Sequence, residues 1–373
     1  MCVRQLSPNF QFLKFMKKSN AIVITASFLD TDNAKTAHGL IRGTERFNIL
    51  AIIDKKYPGE DAGEVLDGRK RDIPVYASLK EFGSQSKKKA KYCIIGVATK
   101  GGVLPKELRA LLREAISLGY SIVNGLHDYV SDHADLVALA KKKRVEIIDV
   151  RKPKKFKDLH FWSGEIQRVR CPKIAVLGTD CAMGKRTTTR FLVQAMQKAG
   201  FKAEMIYTGQ TGWMQGAKYG FIFDSTLNDF ISGEMEHAIV QCWEEVKPDI
   251  IFIEGQSSLR NPSGPAGAEW LISAEADAVV LQHNPARKKY KGLENYPVDI
   301  ADVKDEIDLI KIYGVPTVAL TVNTMKMKKT DARTWAASKE SELGIPVILP
   351  LEDSVERLVP IFKKMIAEGK RKG

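Results

Sequence analysis

The chain has 373 residues, of which 44% are apolar and 28% charged. Those proportions exclude a disordered chain and a disulfide-stapled miniprotein, and the length suits two or three domains with sizeable cores. Lys and Arg outnumber Asp and Glu by 58 to 45, a net charge of +13, which invites either nucleic acid or small anionic ligands.

Short β-branched runs alternate with longer amphipathic stretches from the start. Strands are predicted at 21–26, 48–53, 92–97, 121–124 and 145–150, with helical patterns at 105–118 and 133–142 between the later ones. In the helix at 105–118 the apolar positions are Leu108, Leu111, Leu112 and Ile116, the spacing of one buried face. This βαβ rhythm argues for a parallel sheet covered by helices, so residues 1–155 are read as a Rossmann-like domain. Its first strand runs into Ser27-Phe28-Leu29-Asp30, with no G-x-G-x-x-G, so a dinucleotide fingerprint is missing. Asp54 closes the second strand, where an acid can bind a ribose or serve as a turn residue.

A basic connection, Arg151-Lys152-Pro153-Lys154-Lys155, marks the domain boundary. A second series follows over 156–373. Strands are predicted at 173–177, 203–208, 249–254, 276–282, 316–323 and 346–351, and helices at 185–199, 225–245, 300–313, 330–343 and 354–368. Six strands with helical crossovers make a second doubly wound domain. The fold class is therefore α/β, an N-terminal Rossmann-like domain followed by a C-terminal P-loop NTPase-like domain.

The P-loop reading rests on Gly178-Thr179-Asp180-Cys181-Ala182-Met183-Gly184-Lys185-Arg186-Thr187-Thr188. An apolar strand enters a Gly-containing turn, and the turn opens a helix. Backbone N–H groups in such a turn cradle an anion, and the Lys reaches its terminal oxygens. The match to Walker A departs in two ways. Five residues rather than four separate the glycines, and Arg186 stands where Ser or Thr ligates Mg²⁺. Thr187 or Thr188 can take over that role, and residues 178–188 are all candidate cofactor contacts.

Four further segments end strands of the same domain. Ile250-Ile251-Phe252-Ile253-Glu254 resembles Walker B, with Glu254 as a general base or, together with Thr187, a ligand of Mg²⁺ if a Mg-nucleotide binds. Thr208-Gly209-Gln210-Thr211-Gly212 suits a ligand-facing loop, with Gln210 and Thr211 as substrate contacts. Gln282-His283-Asn284-Pro285-Ala286-Arg287 offers His283 for acid–base work and Arg287 for a carboxylate or phosphate. Asn323, after Leu320-Thr321-Val322, stands where related folds read a base. Cys181 lies in the loop near a helix N-terminus, where a thiolate is favoured. An acyl-cysteine is conceivable there, and a small residue chosen for size is the simpler reading.

The five cysteines (Cys2, Cys93, Cys171, Cys181, Cys242) are scattered, with no C-x-x-C, which suits a reducing compartment. No apolar run approaches a membrane span, and residues 1–20 carry no convincing cleavage pattern. A cytoplasmic, soluble homo-oligomer is expected, without a membrane or a specific nucleic-acid partner. The basic runs 87–89, 141–144 and 370–372 are scattered and lack interleaved aromatics, so they read as solvated faces.

The loop at 178–185 resembles that of the dethiobiotin synthetase class of P-loop proteins. Over nearly the whole chain the sequence resembles the DgcN family, through Lys35-Thr36-Ala37-His38-Gly39-Leu40, the Gly178–Thr187 loop, Thr208-Gly209-Gln210-Thr211-Gly212 and Ile253-Glu254-Gly255-Gln256-Ser257. The resemblance implies D-glutamate N-acetyltransferase activity with acetyl-coenzyme A as donor. In that case the loop holds the donor's phosphates, Glu254 or His283 takes a proton, Lys185 or loop N–H groups stabilise the oxyanion, and Arg287 binds a carboxylate. The lost hydroxyl at Arg186 fits such a transfer, which needs no metal. The alternatives are an ATP- and Mg²⁺-dependent ligase or kinase-like enzyme, with Lys185 on the γ-phosphate, and a nucleotide-gated binding protein.

Overall fold

The computed structural model describes residues 18–369. Cys2, most of the stretch 1–20 and the basic run 370–372 lie outside them. The chain forms two units. One takes the described residues up to Lys157 together with Gln210–Ala217, and the other takes Asp158–Gly209 and the residues from Lys218 onward. A division in chain order at 155/156 leaves out this excursion of 210–217.

The first unit contains β1 (Ser19–Ile24), α1 (Lys35–Arg42), β2 (Phe47–Ile53), α2 (Ala62–Asp67), β3 (Val75–Tyr76), α3 (Leu79–Gln85), β4 (Tyr92–Ile95), α4 (Lys106–Ser117), β5 (Ser121–Asn124), α5 (Ala134–Lys143) and β6 (Ile147–Asp149). Its strands form a parallel sheet in the order β3-β2-β1-β4-β5-β6. That is the Rossmann order. The sheet has one strand more than expected, because β3 is a two-residue edge strand held by pairing with Ile52 and Ile53, too short to show a period.

Asp54, at the end of β2, is held by the surrounding loop. Its Oδ2 accepts from the Thr25 hydroxyl at 2.6 Å and Leu29 N at 3.2 Å, and its Oδ1 accepts from Lys56 N at 2.8 Å. It braces the β1–α1 loop, where Ala26 and Ser27 have φ of 48° and 69°, the role of a strand-end turn residue.

The second unit contains β7 (Lys173–Gly178), α6 (Lys185–Lys198) and β8 (Ala203–Tyr207). After the excursion, which carries α7 (Gln210–Met214), come β9 (Tyr219–Gly220), α8 (Ile231–Val246), β10 (Ile250–Glu254), α9 (Ala268–Leu271), β11 (Ala278–His283), α10 (Val303–Ile312), β12 (Thr317–Val322), α11 (Lys329–Leu343), β13 (Val347–Ile348) and α12 (Val359–Gly369). The sheet order is β13-β12-β11-β7-β10-β8-β9, all parallel. This is seven strands rather than six; β9 is another two-residue edge strand.

Alternation along β7 builds both faces. Ile174 and Val176 join the cluster of α6 and α12, while Ala175 and Leu177 join that of α8 to α11. The helix expected at 225–245 begins only at Ile231, after two 3₁₀ turns, Phe223–Ser225 and Asn228–Phe230. Among the described residues no helix is long and apolar enough to cross a membrane.

Candidate functional site

β7 is central in the second sheet, so its C-terminal end opens between β10 and β11. Ligands of open α/β sheets bind at such an edge. The loop from β7 turns tightly: Ala182 has φ of 52° and Gly184 has φ of 107°, a conformation that glycine adopts without steric cost. Among the described residues, the backbone N–H groups of Ala182, Gly184 and Lys185 donate to no protein acceptor. Three such donors beside the N-terminus of a helix can receive an anion.

Lys185 is buried and curls across this loop. Its Nζ donates to Asp180 O and to Ser257 O, both at 2.7 Å. Burial pulls its pKa below the ordinary lysine value, opposed by Cys181, Asp180 and Glu254. Ser257 has φ of 38°, so the carbonyl facing the lysine belongs to a strained residue. Cys181 Sγ lies 3.6 Å from the Ser257 hydroxyl.

The loop is held by a polar shell. Asp180 is fully buried and accepts from Asn261 Nδ2 at 2.9 Å, Arg287 Nη1 at 3.1 Å and Lys291 N at 2.8 Å. Arg287 Nη1 also reaches Cys181 O at 2.6 Å. The Thr179 hydroxyl and His283 Nδ1 are 2.8 Å apart. Asn323 donates to Met183 O at 2.8 Å and accepts from Met325 N at 2.9 Å. Thr188 donates to Gln282 Oε1 at 2.5 Å, and Thr321 donates to the same atom at 2.7 Å. Thr189 caps Lys185 O at 2.8 Å. The Thr187 hydroxyl has no protein partner among the described residues.

Glu254 closes β10 and is buried. Its Oε2 accepts from Thr208 N at 3.1 Å, while its backbone O accepts from the Thr208 hydroxyl and Trp270 Nε1. Burial raises its pKa above the ordinary glutamate value, against the pull of Arg186, two backbone N–H groups and Lys185. His283 moves the other way. Burial, with the nearby Lys288, lowers it to about 4, and its ring stacks on Trp335.

The second unit thus gathers residues 178–188, Glu254, His283, Arg287 and Asn323 at one sheet edge. Several have structural occupations there: Asn323 and Arg287 hold the loop. Gln210 and Thr211 follow directly on the Thr208-Gly209 turn, whose Thr208 N donates to Glu254. They lie in α7, which packs into the first unit, where Thr211 Oγ1 is 3.1 Å from Thr36 Oγ1. Gln282, Thr321, Asn261 and Ser257 were not singled out from the sequence as site residues. For Gln282 and Thr321 the signal was present: each is a polar residue late in an otherwise apolar strand, buried and therefore obliged to find a partner.

A family model described as a domain of unknown function, the DUF1611 C-terminal P-loop domain, matches residues 160–359. This chain belongs to the DUF1611 family. The family's N-terminal Rossmann-like domain matches residues 55–153. A crystal structure of a DUF1611 family protein from Anabaena variabilis superposes with a TM-score of 0.83 at 27% identity, covering 93% of this chain and all of that one. A protein from a Pseudoalteromonas species named D-glutamate N-acetyltransferase is 30% identical over 72% of this chain and 80% of its own length. One of the same name from Tritonibacter scottomollicae is 29% identical with the same coverage. The two-domain α/β architecture is therefore that of DUF1611, and residues 178–188 lie within its P-loop domain.

Proposed function

We propose that this DUF1611 chain is an N-acetyltransferase that acetylates a D-amino acid of the glutamate type, with acetyl-coenzyme A as donor. The observation that carries the reading is the anion cradle at 182–185, with Lys185 folded over it, in a chain whose relatives bear that enzyme's name. The donor supplies a thioester and several phosphates. Ala182, Gly184 and Lys185 hold phosphate oxygens through backbone N–H groups, and the Lys185 ammonium moves onto them from the two carbonyls it now contacts.

In the transfer, the acceptor nitrogen bonds to the acetyl carbon, the carbon–sulfur bond breaks, and the thiolate leaves. The acceptor amine must lose a proton. Glu254 suits that task, because burial raises its pKa above the ordinary glutamate value and makes it a stronger base. His283 is less suited, since its Nδ1 faces Thr179 and the ring sits over Trp335. Arg287 commits only Nη1 to the loop; its Nε and Nη2 make no protein hydrogen bond among the described residues and are offered to an acceptor carboxylate.

Calorimetric titration of the chain with acetyl-coenzyme A, coenzyme A and Mg·ATP tests the reading. It expects saturable binding of both coenzyme A species. Tight binding and hydrolysis of ATP, with no heat from coenzyme A, would contradict it in favour of an ATP-dependent ligase.

A further inference from the structure

We propose that the phosphate site of this chain works without a divalent cation, the Arg186 guanidinium supplying there the positive charge that Mg²⁺ supplies in other P-loops. The inference rests on the phosphate-site reading above and specifies its electrostatics. A P-loop holds Mg²⁺ with the hydroxyl that follows the loop lysine and with an acid at the end of the Walker B strand. Mg²⁺ requires near-octahedral oxygen ligation.

The oxygen donors here depart from that pair. The position after Lys185 is Arg186. One turn further on, Thr188 donates to Gln282 and Thr189 to Lys185 O. The Asp180 carboxylate accepts from Asn261, Arg287 and the Lys291 N–H and is engaged in bracing the loop. Thr187 stands one residue beyond the Walker position, about 100° further round the helix, and one Glu254 oxygen accepts from Thr208 N.

The electrostatics agree. Arg186 is half-buried, in the first turn of α6, and both it and Lys185 act on the Glu254 carboxylate. A divalent ion on that carboxylate would face the Arg186 guanidinium and the Lys185 ammonium in a site shielded from water, where charge repulsion is poorly screened. A guanidinium meets phosphate oxygens through a planar fork of N–H donors. It also leaves Glu254 free of metal, and so free to take a proton.

The test titrates the full chain with coenzyme A and, separately, with inorganic pyrophosphate, each in excess EDTA and in excess Mg²⁺. The wild-type chain is expected to bind with equal affinity, within about twofold, in the two conditions. R186T restores the Walker hydroxyl and removes the fork. It is expected to bind about tenfold or more weakly in EDTA and to recover in Mg²⁺. Wild-type binding that needs Mg²⁺ overturns the inference, as does an R186T chain that binds as well as wild type in EDTA or is weakened equally in both conditions. Metal-free binding of pyrophosphate without binding of coenzyme A upholds the inference and removes the acetyl-donor reading. Failure to bind either anion overturns both.

Discussion

Burial moves the two titratable strand-end residues of the site in opposite directions. Glu254 rises above 4.5, and His283 falls from 6.5 to about 4. If Glu254 is the proton acceptor it must be ionised, so the rate rises with pH through its raised pKa. A pH–kcat profile should show one acid limb above 4.5, and Glu254→Gln should lower kcat by about 10²–10⁴-fold and abolish that limb. His283 has a separate signature in stability. Between 6.5 and about 4 the unfolded chain protonates this residue while the folded chain resists it, so its contribution weakens as pH falls through that window. Denaturant midpoints measured across the window should fall more steeply with acidification for wild type than for His283→Phe; equal slopes would rule the effect out.

At the scale of elements, the position of Glu254 depends on how closely β10 approaches β7. Gly255 N donates to Val176 O at 3.0 Å, and a Cβ on Gly255 would sit 2.3 Å from that same carbonyl oxygen. Gly255→Ala therefore forces the strand ends apart. It should cost about 1–3 kcal/mol by thermal melting and lower activity further by shifting the adjacent carboxylate. Much of this architecture was legible in the sequence. Central strands such as β7 and β10 are continuous apolar runs because both faces are buried, and the Gly-Lys turn after β7 announces the loop. The edge strands β3 and β9 were not legible, since two residues carry no period and only pairing makes them strands. Nor was α7. The glycines at 209 and 212 read as a loop, while the buried Gln210, Thr211 and Met214 shape a short helix. The brace formed by Asp180, Asn261 and Arg287 joins residues more than eighty positions apart, a distance that no local pattern reports.

At the scale of the molecule, chain order and packing order part company at 210–217. Met214 is fully buried in the core of the first unit. There Thr44 donates to its carbonyl at 2.9 Å and Gln215 donates to Gly39 O and Gly43 O. Met214→Ala should cost about 2–5 kcal/mol, although the residue lies in sequence between two strands of the second sheet. Hydrogen exchange should report the loss at β1 and β2 rather than at β7 and β10; loss confined to β7 and β10 would refute this assignment. The +13 charge also gains local explanations. Lys141, Lys142 and Lys143 fill the last turn of α5, where cations suit the helix dipole, and Arg109 and Arg113 both meet Asp135.

The claim that joins these scales is that the cradle at 182–185 presents an acyl donor to an amine beside Glu254. Its most direct test is an acetyl-transfer assay with acetyl-coenzyme A and D-glutamate, following both the free thiol and the N-acetyl product, with Lys185→Ala as control. Thiol and product are expected to appear in equal amounts with the wild-type chain, and both to be lost with Lys185→Ala. No product from the wild-type chain, or undiminished turnover by the Lys185→Ala variant, would contradict it.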